Sequence, residues 1–335
     1  MIKIAINGFG RIGKTFLRTI ISDTIADQKI NLVAINIGPA DLEHAAFLFK
    51  HDSVMGELKE KVVMHGDFLI VGDRKIKVFT EKDPAALPWG DLGIDWVVEC
   101  SGFFTERKNA EKHIQAGAKR VLISAPAKDE DVAIVLGVNE SAYDSKKHKI
   151  VSMGSCTTNA LMPTVKVLSQ FCKIQCGFMT TVHAYTNTQV LIDKENDDLR
   201  RARAAAINLI PTTTGATKMV PKIMPELGDV LQGCALRVPV VDSSLIDLVV
   251  YTDQQFSVDA INKKFEEAAH SNALKGILGV SREPLVSSDY IGNSHSVVID
   301  ALLTQTQGNM IKLVGWYDNE WGYSCRLRDF LVKIG

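Results

Sequence analysis

Neither sign of charge dominates this chain of 335 residues: its formal charge is -1 and its isoelectric point is near 6.7. A protein that meets nucleic acid or an anionic membrane through a global basic field is therefore not expected. No apolar run reaches the length needed to span a bilayer. No basic-then-apolar leader stands before the first strand, so a cytoplasmic protein without a membrane partner is expected. Cysteine is sparse and scattered. Its six positions (Cys100, Cys156, Cys172, Cys176, Cys234 and Cys325) lie in apolar runs rather than in a small disulfide frame, which suits a reducing compartment. Cys172 and Cys176 are close in sequence, but no second pair or His cluster completes four ligands, and no metal site is expected.

What is present fits an enzyme-sized globular protein. Charged residues make up 23% and hydrophobic ones 46%, and the length suits two domains, each with its own core. Residues 2–7 read as a strand that tightens into Gly8-x-Gly10-x-x-Gly13. Ile12, Phe16, Leu17, Ile20 and Ile21 then repeat at helical spacing. Strand, glycine turn and helix in that order make a dinucleotide-binding arrangement: glycines let the backbone approach a pyrophosphate, and the helix N-terminus faces it. The next strand, residues 31–36, ends in Asn36-Ile37-Gly38-Pro39. The usual fingerprint asks there for an acid that holds the adenosine ribose hydroxyls. Ile37 is no acid, so NAD and NADP both remain open, and Asp41 reads as a helix cap.

Residues 61–80 read as short alternating strands with turns at Gly66, Gly72 and Asp73. Residues 95–99 form an apolar strand, 106–116 a helix and 120–123 a further strand. Alternation of this kind implies a Rossmann-type, doubly wound parallel sheet, with ligands at the carboxyl ends of its strands. Ser101 and Ser124 fall at such ends.

The stretch from 149 to 186 carries the chemistry. A strand at 149–152 enters a polar turn with Ser155 and Cys156, and an amphipathic helix follows with Leu161, Val165 and Leu168 on one face. Thr157, Thr158 and Asn159 occupy the first turn, so Cys156 meets the unpaired N–H groups of a helix start, which favour a thiolate. A second strand, 177–182, leads into His183, the candidate base for that thiol. Beyond it the strands (174–182, 233–241, 245–252) are longer and have fewer helices between them. An α+β domain with a mostly antiparallel sheet is expected. The boundaries fall at 1–153 for a dinucleotide domain and 154–317 for a catalytic one, with a tail helix from Asp318 packing back on the first. Arg200, Arg201 and Arg203 punctuate a polar loop at 187–203, and Arg237 sits inside an apolar strand. A buried arginine wants an anion, and Arg237 with Arg200, Thr186 and Thr214 would suit a phosphate.

Four strings are more specific than any spacing: N-G-F-G-R-I-G at 7–13, S-C-T-T-N at 155–159, T-T-V-H-A-Y-T at 180–186 and W-Y-D-N-E-W-G-Y-S at 316–324. Together they resemble the phosphorylating glyceraldehyde-3-phosphate dehydrogenase family, over essentially the whole chain. The resemblance implies oxidation of glyceraldehyde 3-phosphate to an acyl phosphate through a thioester on Cys156, with His183 as acid–base and hydride transfer to NAD or NADP. It implies a substrate phosphate subsite of Thr186, Arg200 and Arg237, and an inorganic phosphate subsite of Ser155, Thr157, Thr214 and Gly215. Cofactor contacts implied are Gly8, Gly10, Arg11, Ile12, Gly13, Ile37, Lys82, Ser124 and Asn319. Asn319 would hold the nicotinamide, with Ile12 and Tyr317 near its ring. The family is commonly homotetrameric, with the 187–203 loop and its Lys194 reaching a neighbour's cofactor. Erythrose-4-phosphate dehydrogenase, a rival of similar fold, departs at the substrate loop and the Thr-rich segment; H-A-Y-T and P-T-T-T-G-A here favour the three-carbon substrate. A thiol hydrolase without nucleotide is opposed by the glycine fingerprint. A binding protein that has lost its chemistry is opposed by the intact Cys156, His183, Arg200 and Arg237.

Overall fold

The computed structural model describes residues 1–334, which divide into two compact units. The first comprises Met1–Ile134, Ser141–Gly154 and the chain from Ser324; the second comprises Val135–Glu140 and Ser155–Tyr323.

A nine-stranded sheet organises the first unit. Its order is Val132–Ala133, Ile150–Ser152, Arg120–Ile123, Trp96–Glu99, Ile2–Asn7, Ile30–Asn36, Arg74–Phe79, Phe68–Val71, Val62–His65. The first seven run parallel, and the last two return as antiparallel hairpins. Helices cover parallel sheets on both faces, so these strands are apolar throughout: Ile4, Ala5, Ile6, Val97, Val98, Val121, Leu122 and Ile123 are all 0% exposed. Gly66 and Gly72 take φ of 59° and 56° at the two tight hairpin turns. Ile2–Asn7 lies between Ile30–Asn36 on one side and Trp96–Glu99 on the other, so the winding reverses there. The carboxyl ends Asn7, Asn36 and Glu99 therefore border the crevice in which such sheets bind ligands. From Ser324 the last helix, Trp321–Ile334, belongs to this unit: Phe330 meets Trp96 and Tyr143 edge-on at 5.7 and 5.4 Å, and Leu327 and Leu331 are fully buried.

The second unit carries a sheet in the order Ile210–Thr212, Leu231–Val238, Ile174–Ala184, Ser244–Thr252, Met310–Tyr317, Val297–Asp300, Leu278–Ser281, with Gln305–Gln307 folded against Met310–Tyr317. Most pairs are antiparallel. Two are parallel: Ile174–Ala184 with Leu231–Val238, and Leu278–Ser281 with Val297–Asp300. The sequence reading missed the first because its long connection, through residues 185–230, holds short helical turns rather than one crossover helix. The helix Val258–Ala269 and the short strands Leu278–Ser281, Val297–Asp300 and Gln305–Gln307 were not expected, whereas a final strand at 312–316 was, and it is present as Met310–Tyr317. The helix Cys156–Ser169 lies against this sheet and buries Leu161, Val165 and Leu168. Among the described residues no helix is long and apolar enough to cross a membrane.

Candidate active site and cofactor cradle

In the first unit the glycine turn is shaped by close approach. Gly8 has φ of +94°, and a Cβ there would lie 2.4 Å from the Ser101 backbone nitrogen; one on Gly13 would lie 2.2 Å from the Gly8 carbonyl oxygen. Gly10 is the N-cap of the helix Arg11–Ile21; no side chain caps that helix start, and a Cβ on Gly10 would meet nothing within 4 Å. A helix start without a side-chain cap, behind a glycine turn, fits a pyrophosphate. Arg11 and Ile12 complete the first turn. The Arg11 guanidinium is bonded to Asp52 at 2.5 Å. Burial opposes charge on Asp52, but the N–H groups of Met55 and Val54 together with Arg11 hold its carboxyl below the usual range. Ile37 donates its N–H to the Phe79 carbonyl at 2.9 Å and lines a small apolar pocket with Phe9, Leu42, Ala46, Met64 and Leu69. Lys82 is exposed. The Ser124 hydroxyl is bonded to the Glu99 carbonyl at 2.8 Å.

In the second unit Ser155 caps the helix of Cys156: its hydroxyl accepts from the Thr158 N–H at 3.1 Å, and Thr158 returns a bond to the Ser155 N–H. Cys156 is thus the first helical residue. Its Sγ lies 3.4 Å from Nε2 of His183. His183 and Arg237 are direct partners across the parallel strands, which is why the imidazole and guanidinium meet. Arg237 Nη1 is 2.7 Å from His183 Nδ1 and 3.0 Å from the Ala184 carbonyl oxygen, and that oxygen is 2.7 Å from Nδ1. The carbonyl asks Nδ1 for a proton, whereas the guanidinium asks it for a lone pair; only one request can be met at a time. Arg237 Nε is buried without a partner.

Burial dominates the electrostatics here. It pushes the Cys156 thiol up to about 11, against the pull of Arg237 and of Thr157. It also pushes the His183 imidazole down to about 3, reinforced by Arg237 and opposed by the Ala184 carbonyl. Burial thus acts against the thiolate that the helix start favours, and Nε2 has the reach to accept the thiol proton. Tyr317 lies edge-on to His183, and its hydroxyl joins Thr157 Oγ1 at 2.9 Å and Thr181 Oγ1 at 2.8 Å. Asn319 accepts from the Ser244 hydroxyl at 2.6 Å, which leaves its Nδ2 without a partner among the described residues. It stands in the turn before the last helix rather than inside it; Asp318 caps that helix through the Glu320 and Trp321 N–H groups. A free amide donor suits a carboxamide oxygen. Among the described residues no group of three or more His, Cys, Asp or Glu side chains is arranged to hold a metal ion.

Comparison with known proteins agrees over both halves. Residues 2–107 match the family model described as glyceraldehyde 3-phosphate dehydrogenase, NAD binding domain, and residues 155–319 match that family's C-terminal domain. The chain belongs to the glyceraldehyde-3-phosphate dehydrogenase family. The glyceraldehyde-3-phosphate dehydrogenase of Priestia megaterium is 50% identical over 334 residues, covering 99% of this chain and 98% of the relative. That of Streptomyces coelicolor is 49% identical over 335 residues, covering 100% and 98%. Glyceraldehyde-3-phosphate dehydrogenase 1 of Bacillus subtilis is 48% identical over 334 residues, covering 99% and 98%.

In this member of the glyceraldehyde-3-phosphate dehydrogenase family, hydrogen bonds and direct contacts join Cys156, His183, Arg237, Thr157 and Tyr317 into one cluster. They do not draw in the other expected residues. Thr186 bonds to Thr188 and Gln189, Thr214 to the Ala216 N–H, and Gly215 faces open space. Arg200 is exposed, and the arginine whose charge reaches Arg237 is its neighbour Arg201. Arg201 is held by Asp198 at 3.1 Å, and Asp198 also accepts from Thr212. The i, i+3 spacing of Asp198 and Arg201 was the one signal that could have separated the two arginines. The Ala184 carbonyl carried no signal at all, because a backbone atom has no sequence signature.

Proposed function

We propose that this chain catalyses the phosphorylating oxidation of glyceraldehyde 3-phosphate to 1,3-bisphosphoglycerate, with the first unit as cofactor domain and the second as catalytic domain. The observation that carries the reading is Cys156 Sγ at 3.4 Å from His183 Nε2, with the guanidinium of Arg237 on the far side of the ring. Cys156 Sγ attacks the aldehyde carbon while its proton passes to Nε2, which returns it to the new oxyanion to give a thiohemiacetal. The first-turn N–H of Cys156 is a donor for that oxyanion. Nε2 then takes the hydroxyl proton as the carbonyl reforms. Bound NAD supplies the acceptor for the hydride lost at that carbon. Inorganic phosphate displaces the thioester, releasing the acyl phosphate, and the thiolate recovers its proton from His183.

Arg237 is the anchor for the substrate phosphate in this reading, with Arg201 supporting it. A phosphate that draws Arg237 off the ring leaves Nδ1–H to the Ala184 carbonyl and frees Nε2 as a base. The name carried by the relatives favours this substrate over erythrose 4-phosphate. Gly8, Gly10, Arg11, Ile12 and Gly13 would hold the pyrophosphate, and Asn319 the carboxamide. The family's domain is NAD-binding. Ile37 offers neither a ribose bond nor repulsion to a 2′-phosphate, so NADP should also be turned over. Lys194 of a neighbouring copy is a candidate cation for that phosphate. Assembly into a homotetramer is supported by large apolar side chains left exposed on the second unit, among them Leu199 at 85% and Ile207 at 80%. The test is a steady-state assay with glyceraldehyde 3-phosphate, NAD or NADP, with and without phosphate. Turnover that ignores phosphate would sink the acyl phosphate step, and sedimentation as a monomer would sink the tetramer.

A further inference from the structure

Two titratable groups of the first unit are almost wholly buried and take no part in the chemistry above: Glu99 at 1% exposed and His113 at 0%. They begin a chain of hydrogen bonds whose direction can be worked out from one end. The indole N–H of Trp89 can only donate, and it meets His113 Nδ1 at 3.1 Å. His113 Nδ1 is therefore an acceptor, and the ring's proton sits on Nε2, 3.0 Å from Glu99 Oε2. The same Oε2 accepts from Asn7 Nδ2 at 2.6 Å. The other oxygen, Oε1, accepts from the Ser101 N–H at 2.7 Å and from the Ser101 hydroxyl. Four donors thus converge on one carboxylate.

From Glu99 the direction passes outward. Because Asn7 gives its N–H to Glu99, its Oδ1 faces Asn36 and accepts from Asn36 Nδ2 at 2.7 Å. That in turn aims Asn36 Oδ1 at the Glu81 N–H, 2.9 Å away, and at the Gly38 N–H, while Nδ2 also reaches the Glu81 carbonyl. Both ends of this relay border the crevice. At one end Ser101, held by Glu99, is the wall against which Gly8 packs. At the other, Asn36 through Gly38 is the turn where dinucleotide folds hold the adenosine ribose, and where this chain has no acid.

We propose that Glu99, backed by His113 and Trp89, is a positioning residue for the adenosine end of the cofactor. It sets the amide direction of Asn7 and Asn36, and so shapes the Gly8 wall and the 36–38 turn before any ligand arrives. The relay substitutes preorganised backbone for the absent ribose-binding carboxylate. This inference rests on the reading of the first unit as a dinucleotide domain.

Glu99→Gln tests it with almost no change of shape. Whichever way the new amide turns, its NH2 meets donors: Asn7 and His113 on one side, the Ser101 N–H on the other. Isothermal titration of the unmutated enzyme, Glu99→Gln and Trp89→Phe with NAD and with AMP reads the outcome. Glu99→Gln should raise Kd for both ligands about tenfold or more, the cost of buried donors left facing donors. The turnover number at saturating NAD should fall less than about threefold, since lost preorganisation acts on binding rather than on the chemical step. Iodoacetamide labelling of Cys156 should be unaltered. Trp89→Phe, which removes only the N–H that orients His113, should weaken both ligands in the same direction by a smaller factor. A folded Glu99→Gln enzyme with unaltered affinities would overturn the inference, as would parallel losses of affinity, turnover and thiol labelling. If Glu99→Gln does not fold, unaltered AMP affinity in Trp89→Phe overturns it. An unmutated enzyme that binds neither NAD nor NADP overturns the dinucleotide reading instead, and this inference with it.

Discussion

Each unit sets a charged side chain near its candidate site, the first a buried Glu99 and the second a half-buried Arg237, and the two are treated in opposite ways. Glu99 in the first unit has all its acceptor positions filled by donors of the same unit. Arg237 in the second shares one nitrogen between a ring nitrogen and a carbonyl oxygen, has no acid partner among the described residues, and buries its Nε unpaired. A filled network is rigid and cannot bind anything further; a vacant one is costly at rest and recovers that cost only when an anion arrives. The first suits the preorganised cofactor surface proposed above, and the second suits the proposed recognition of an anion.

The largest expected effect concerns the group that the vacant side serves. Cys156→Ser should abolish dehydrogenase activity, read from reduced-nicotinamide absorbance, while cofactor titration stays near normal. His183→Asn should slow turnover by roughly two to four decades, the usual worth of a positioned acid–base. Wild-type turnover in either variant would remove the mechanism.

Arg237 gives the next largest effect and the clearest contrast. Arg237→Leu should raise KM for glyceraldehyde 3-phosphate by roughly one to two decades, through loss of charge-assisted bonds of about 1.5–3 kcal/mol, and leave KM for unphosphorylated glyceraldehyde nearly unaltered. Its thermal midpoint should be no lower than that of the unmutated enzyme, since a half-buried guanidinium with no acid partner among the described residues and a bare Nε is not holding the fold together. Glu99→Gln should lower that midpoint. Two midpoints that fall together would erase the distinction between vacant and filled.

A smaller effect is expected where the first unit lacks its acid. Ile37→Asp should shift the NAD/NADP ratio of kcat/KM towards NAD by about tenfold. The new carboxylate has to leave the apolar pocket that Ile37 lines, so some loss of thermal stability accompanies the shift. An unmutated enzyme that already prefers NAD by more than about a thousandfold would mean that another group excludes the 2′-phosphate.

The mildest effect is on stability with pH. The folded state holds His183 at about 3, far below its ordinary value of 6.5. Between those values the unfolded chain binds a proton that the folded one refuses. The stability present above pH 6.5 is therefore lost as pH falls, by on the order of 1 kcal/mol per pH unit. Urea midpoints at pH 7 and pH 5 measure it, and His183→Asn should flatten the difference. An equal slope in that variant would assign the effect to other groups.

Local order was written in the sequence, because its causes are local. Strand, glycine turn and helix at 2–21, hairpins turning on Gly66 and Gly72, and a cysteine opening a helix behind a Ser cap all follow from neighbours a few residues apart. The family strings carried the family, and with it the expectation that Cys156 and His183 meet, as they do at 3.4 Å. What the tertiary structure alone decided involves distant partners or burial. Asn7 and Glu99 are 92 residues apart, and Thr157 and Tyr317 are 160 apart. No periodicity encodes such pairs. That Arg201 is half-buried against Asp198 while Arg200 is exposed turned on which of two adjacent side chains faces inward, and the parallel pairing that sets His183 beside Arg237 on the route of a long connection. Burial also opposes the thiolate that the helix start favours. A helix N-terminus acts over one turn, but the desolvation that opposes it comes from every group packed around the sulfur, and those are brought together only by the fold.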